Sequence, residues 1–526
     1  MPNAETRPET PDRPRPSSLK PACLEQLRQN IPEAMTFFAS LEERTLLELS
    51  TDFRRKNPLA HRPGPVQDGG DLIALARDRA SDLLSPAHGQ KLARALEENF
   101  CALTANHLGA DFHPQFVQGN LIFALHALRG NAQAIPVFSC GGVLWNNFAY
   151  PRGILLGRGK AQSFLPGRLP VLPDKHRRIP LSLREAAPEG TVRALLHSPT
   201  LSSPDCGPLT PSETGAARRL LAEVFLNPQV LARPTYGEQA TLMNSLIWEM
   251  LFAPGLTPPP LVNLDMTLLS LEIIRADLGQ PHSLIACLLE PGMPESLLTE
   301  LNGTRGCWDF APPEQGLRLQ RGSFLFWGID RQSSSLLPLV PDAQYRHLLP
   351  WSDDAPPDPD RPWVSLEPDA LDRALEKRTI LPGMLLSFAA LALARGLFCC
   401  GGFYQEGYLT RMRQGVKRAL LAHHEQALAD KLEDPRRDSL CMAFLPLRCR
   451  AEAVDGEASF PLAASPVDIL AGGGITGTIL DQLAELPARD AFKAALAFHY
   501  EYLIPPEQRL PGWRQALGEE TGVFLQ

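Results

Sequence analysis

The sequence predicts an α/β chain: a parallel sheet core with added helical segments. Three observations carry that expectation. The segment "FCALTANHLGADFHPQFVQGNLIFALHALRGNAQAIPVFSCGG" reads as strand, polar loop, helix, strand, a βαβ unit of the kind that builds parallel sheets. Helical apolar spacing runs on both sides of it. The 51 prolines among 526 residues cut the rest into loops and short elements.

The elements follow in order. Residues 1–20, "MPNAETRPETPDRPRPSSLK", are polar and proline-rich, an expected disordered tail without the apolar run of a secretory signal. Residues 21–100 are expected to be helical, with "KNPLAHRPGPVQDGG" as a linker. Residues 101–350 are expected to form the α/β core with a helical insertion. Within them "FCALTA" is a short strand, 106–120 a loop, "NLIFALHALRG" a helix stopped by Gly130, and "AIPVFSCGG" a second buried strand. The segment "TPSETGAARRLLAEVFLNP" starts a helix with Thr210 or Ser212 as cap and Glu213 in the first turn. "YGEQATLMNSLIWEMLF" and "LDMTLLSLEIIRADLG" read as helices, "HSLIACLLE" and "SFLFWGID" as strands. Residues 351–362 form an acidic, proline-rich loop, the expected internal boundary. Residues 363–526 are a C-terminal helical and α/β region completing the core. Its apolar stretch 380–394 is too short for a membrane span and reads as a buried core helix, and one long amphipathic helix is expected over 407–433.

Composition narrows the function. A net charge of −8 argues against a general nucleic-acid binder. Only nine of 51 basic residues are Lys, so abundant Arg reflects compositional bias and is poor evidence for phosphate binding. Ten cysteines without a C-x-x-C pair exclude a zinc ribbon, and a cytoplasmic setting with free thiols is expected. No membrane partner is expected; a small-molecule substrate is, and the oligomeric state is open.

Ligands in open parallel sheets bind beyond the carboxyl ends of strands. That singles out "ANHLGADFHPQFVQGN" and "CGGVLWNNFAYPRG". In the first, His107, Asp111 and His113 could ligate a metal, though their spacing lacks the helical register of a strong motif. Alternatively Asn106, His107 and Gly109 clamp a phosphate or carboxylate, helped by a helix opening near Asn120, with Gln115 nearby. In the third reading these polar groups only satisfy the loop backbone and cap a helix. In the second, Cys140 is a nucleophile or a small buried hydrophobe, while Asn146, Asn147 and Arg152 form a polar lining. The run containing Arg158, Lys160, Arg168, Lys175, Arg177 and Arg178 greets an anionic substrate or is a solvated loop. "GGFYQEGYLTRMRQ" offers Tyr404, Glu406 and Tyr408, with Glu406 a base, a ribose ligand or a surface acid. "ILAGGGITGTILDQL" matches G-x-G-x-x-G formally through Gly472, Gly474 and Gly477 but lacks the strand and distant acid of a dinucleotide site; amides of Gly472, Gly473 and Gly474 could still hold a phosphate, or simply form a turn. Walker A, H-E-x-x-H and G-x-S-x-G motifs are absent.

Two stretches resemble the cysteine-adding ligase family of bacillithiol biosynthesis. "LTANHLGADFHPQFVQGNLIFALHALRGNAQAIPVFSCGG" is similar in order and length to that family's strand, Gln-rich loop, Gly-rich turn, helix and strand, with Asn106-His107 standing where the family has Gly-Gln-Gln. "RTILPGMLLSFAALALARGLFCCGGFYQEGYLTRMRQ" places Arg378, Gly401, Gly402, Glu406 and Tyr408 comparably. The resemblance implies a Rossmann-like core and ligase-type chemistry on an amine or carboxylate.

The leading expectation is an intracellular ligase- or transferase-type enzyme acting on a small polar metabolite. His107 and His113 would act as acid/base groups or phosphate ligands, with Glu406 across the cleft. Asn106, Gly109, Gln115, Asn120, Asn147, Arg152, Arg378, Tyr404 and Tyr408 would bind substrate, and Gly472, Gly473 and Gly474 a cofactor. No cofactor is identified; a nucleotide is compatible with this reading. The alternatives are a metal-dependent hydrolase using His107, Asp111 and His113, and a non-catalytic binding or assembly protein.

Overall fold

A computed structural model of the chain describes residues 16–41, 43–55, 66–130, 133–159, 163–172, 178–311, 318–354, 357–432, 441–450 and 460–525. The chain is mixed α/β. Four strands, β1 (Cys101–Leu103), β2 (Ile135–Ser139), β3 (Leu261–Asp265) and β4 (Phe398–Cys400), form one parallel sheet in the order β4-β1-β2-β3. They are apolar almost throughout because both faces are covered. Side-chain alternation divides them between two cores. Cys101, Leu103, Ile135, Val137, Phe398 and Cys400 join one; Ala102, Phe138, Val262, Leu264 and Cys399 join the other.

Helices pack both faces. On the first, α1 (Pro114–Leu128) crosses from β1 to β2, beside the N-terminal helices Pro16–Asn30, Pro32–Ser40 and Leu46–Arg55 and the C-terminal helix Ala488–Leu503. On the second lie α2 (Met266–Leu278), the hairpin of Gly70–Leu83 and Pro86–Glu98, and α3 (Gln405–Ala422).

Several elements differ from the sequence expectation for local reasons. The first described helix begins at Pro16, inside the stretch expected to be disordered, because Leu19, Cys23 and Leu27 give it a buried stripe; residues 1–15 lie outside the described residues. α1 begins at Pro114, not near Asn120: proline suits the first helical position, and His113 ahead of it serves as the cap. "HSLIACLLE" is helical over Leu284–Leu288, since a short apolar run fits either period and Ser283 Oγ, accepting from Ala286 N, decides for helix. β3 takes the first two residues of the segment read as the helix "LDMTLLSLEIIRADLG", and β4 lies in a stretch to which the sequence reading assigns no element. Asp265 ends β3 and caps α2, its Oδ1 accepting from Thr267 N at 2.9 Å. The long helix expected over 407–433 breaks after Ala422, where His424 has a φ of 63°. The acidic loop 351–362 joins strands His347–Pro350 and Val364–Ser365, which pair with each other. Of the two expected caps it is Thr210 that caps its helix, and it forms a capping box with Glu213.

The stretch 380–394 starts as a strand, Ile380–Pro382, and continues as a buried helix, Met384–Phe388, that widens over Ala389–Ala394. Arg395 follows, fully buried, with its guanidinium held by Asp71 and Asp277. Among the described residues no helix is long and apolar enough to cross a membrane.

Candidate functional site

The chain lays down β1, β2 and β3 in one direction, then places β4 on the far side of β1. At that reversal the segments leaving the two neighbours separate. Thr104 N still donates to Cys400 O, whereas Asn106 O and Leu108 N pair with Cys140, beyond the end of β2. A crevice beyond the carboxyl ends, at a reversal of strand order, is where open parallel sheets hold ligands. Its floor demands glycine at 401: a Cβ there would lie 2.1 Å from Gln405 Oε1 and 2.8 Å from Ala105 Cβ.

A cavity of about 260 Å³ fills the crevice, with walls from the carboxyl end of every strand: Ala105 and His107 after β1, Cys140 after β2, Met266 after β3, Tyr404 and Tyr408 after β4. Aromatic and apolar surface dominates, and none of the described lining side chains is a carboxylate.

His107 is half-buried against Phe116 and Phe148, with ring centroids 5.5 and 4.9 Å away. Its Nδ1 lies 3.3 Å from Asn147 Oδ1. The amide's orientation is fixed, since Asn147 Nδ2 donates to Leu144 O and Oδ1 accepts from Ala149 N. An oxygen can only accept, so the neutral imidazole carries its proton on Nδ1 and keeps a lone pair on Nε2. Burial lowers its pKa to about 4, partly opposed by the Asn147 bond, so His107 is an uncharged acceptor at neutral pH. Gln115, on the first turn of α1 and only 4% exposed, also lines the cavity, and its side-chain amide makes no hydrogen bond among the described residues. Arg305 stands at the edge with its Cζ 3.4 Å above the Tyr404 ring. Burial and the nearby Asp265 push the Cys140 thiol up to about 11, which leaves it un-ionised and a poor nucleophile at neutral pH.

The other polar residues of the loop are consumed in structure. Asp111 Oδ2 accepts from Asn106 Nδ2 and Asn120 Nδ2, each at 3.0 Å, and Asn106 also donates to Asn120 Oδ1. Asn244 Oδ1 accepts from Asp111 N, and Asn244 Nδ2 donates to Gly109 O. Gln118 donates to Leu447 O and Ala464 O and accepts from Leu447 N, tying α1 to the C-terminal strands. His113 Nδ1 accepts from Gln115 N, while His113 O takes Phe116 N and Val117 N. The helix start thus offers a ligand none of these amides, and the His113 ring lies among Phe116, Phe148 and Phe498, with burial lowering its pKa to about 3. The metal triad is corrected on these grounds: Asp111 and His113 do not line the cavity, and among the described residues no three His, Cys, Asp or Glu side chains gather to hold an ion.

No family model, curated protein or solved structure matches this chain. The site therefore stands on its geometry alone.

The structure brings His107, Gln115, Tyr404 and Tyr408 to one cavity. Asn147 touches His107 and lines an adjoining cavity together with Asn146. Arg152 lies elsewhere, over the Tyr150 ring at 4.9 Å. Arg378 lines a separate small cavity with Asp265. Gly109, with a φ of 137°, is pressed against Pro151. Gly472, Gly473 and Gly474 end the helix Pro466–Ala471, their amides returning to Asp468 O, Leu470 O and Ile469 O. They follow a helix, where a dinucleotide fingerprint needs a strand. Glu406 is in α3, and its side chain lies outside the described ones, as do Lys160, Lys175 and Arg177. Arg158 is spent on Glu213. Nothing local in the sequence marks Arg305, which the fold brings to the cavity from afar; Phe148 and Met384 lie in stretches singled out above, but as apolar residues that were not among the candidates.

Proposed function

We propose that the chain is an enzyme of ligase or transferase type with a Rossmann-like core, and that the cavity above its parallel strands holds a small metabolite with a flat or apolar body and a polar end. The observation that carries this reading is the convergence of four strand ends on one aromatic-walled cavity containing an uncharged imidazole with a free Nε2 and an unpaired amide. An apolar pocket with a few convergent polar groups is the usual form of a metabolite site. In it, Gln115 orients the polar end and His107 Nε2 accepts a proton from an attacking amine or hydroxyl. An anionic group bound beside the imidazole would raise its pKa toward the working range. The order of segments shared with the cysteine-adding ligases supports the ligase or transferase form of the proposal.

The test is a thermal-unfolding screen of the purified full chain with aromatic amino acids, nucleosides and aromatic carboxylates. At a hundred times its Kd, a true ligand adds about 2.7 kcal/mol to the native state. The expected hit stabilises the wild type and loses that effect in His107→Ala and Gln115→Ala. Equal stabilisation of all three proteins, or none by any class, refutes the proposal. Turnover of the hit, abolished in His107→Ala, distinguishes an enzyme from a binding protein.

A further inference from the structure

A second cavity, of about 540 Å³, adjoins the first. Both are walled by Cys140, Val143, Met266, Arg305 and Met384, so they are chambers of one groove. Their chemistry differs. The charged walls of the second chamber are guanidiniums, Arg305 and Arg321, and none of its described lining side chains is a carboxylate. Arg321 meets Asp309 at 3.4 Å in a half-exposed pair, which leaves most of its hydrogen-bonding fork free. Arg305 makes no ion pair among the described residues and sits over the Tyr404 ring. The Trp327 indole N–H and the exposed Asn146 amide also line the chamber without a hydrogen-bond partner among the described residues.

These groups share one property: every charged one is a cation, and the free ones donate. Guanidinium forks match carboxylate and phosphate oxygens in pairs. A guanidinium stacked on a ring is held in place before the ligand arrives. We propose that the second chamber binds an anionic second ligand, a phosphate- or carboxylate-bearing metabolite, and that Arg305 at the throat grips its oxyanion next to the molecule in the first chamber. This rests on the proposed function, to which it adds the class and the place of the partner molecule.

The test is a tryptophan-fluorescence titration of the full chain with ATP, pyrophosphate and succinate at constant ionic strength. Saturable quenching by at least one of them is expected, absent in Trp327→Phe. Arg305→Ala, a substitution at an exposed position that leaves the fold intact, should weaken binding tenfold to a hundredfold. Arg305→Lys should recover part of that loss. Pyrophosphate without succinate identifies a phosphate ligand, and the reverse a carboxylate. No quenching up to roughly 10 mM of any probe, or equal affinity of wild type and Arg305→Ala, overturns the inference. Failure here with a positive metabolite screen sinks only the second chamber; anion binding without any metabolite hit sinks only the first.

Discussion

Asp111→Asn should flatten the pH dependence of stability. Asp111 is fully buried with no cation beside it, and burial raises its carboxyl to about 7 from an ordinary 3.8, against the lowering effect of the Asn120 and Asn106 hydrogen bonds. The folded state therefore keeps a proton that the unfolded chain has released. The contribution to stability is complete below about pH 3.8, falls as pH rises, and is gone above about 7. The interval corresponds to about 4 kcal/mol in all, or about 1.4 kcal/mol per pH unit inside it. Asn106 Oδ1 and Asp111 Oδ1 are both buried without partners, and a proton on Asp111 Oδ1 supplies a donor where the carboxylate has none. Asparagine offers the same donor at every pH. Urea unfolding of wild type and Asp111→Asn from pH 5 to 8.5 checks this: the difference should move in favour of the variant by about 1.4 kcal/mol per pH unit up to about pH 7, then level off. A difference independent of pH would mean that Asp111 is ionised in the folded state and the reasoning is wrong.

Arg395→Met should cost about 3–5 kcal/mol in denaturant unfolding, because Asp277 stays buried as an unpaired charge while the tie to Asp71 is also lost. Gly401→Ala should cost about 1–3 kcal/mol and narrow the crevice, since the added methyl meets Ala105 Cβ and Gln405 Oε1; thermal unfolding and the metabolite screen read both effects. Alkylation of Cys140, followed by mass spectrometry, should be slower at pH 7.5 than that of an ordinary exposed thiol by a factor of roughly 100, and should rise about tenfold per pH unit to pH 10.

The βαβ unit was legible because each of its strands is a separate apolar run ended by polar or glycine residues, and a ligand crevice at its carboxyl end follows from parallel pairing alone. β4 was not legible. "FCC" is three paired residues between a buried helical run and a glycine turn, and a buried strand that short has no alternation to set it apart from the helix before it. The same holds for β3, which runs directly into α2 and shares Asp265 with it as the cap. His113-Pro114 did carry a signal, a proline at a first helical position, and it moves the helix start far enough to convert Gln115, Gln118 and Asn120 from loop residues into helical ones. Arg305 sits between the helix Met293–Leu301 and a two-residue strand, where no local pattern distinguishes an arginine that caps a cavity from one that meets water.

The polar loop after β1 does two jobs, and hydrogen-bond accounting separates them. Asn106, Asp111, Asn120, Gln118 and Asn244 bond one another, the loop backbone and the C-terminal strands, which lets the loop pass through an apolar interior. His107 and Gln115 are also enclosed, yet each keeps hydrogen-bonding capacity that the protein does not use, and that capacity lines the cavity. Leaving buried polar capacity unmet costs stability. The network fixes the backbone on which His107 stands, and Asn147 fixes its tautomer. His107 lines the cavity with its Nε2 open, whereas His113 lies outside the lining with its ring among Phe116, Phe148 and Phe498, and that difference is the physical ground for placing the chemistry at His107 rather than at the better-hidden His113.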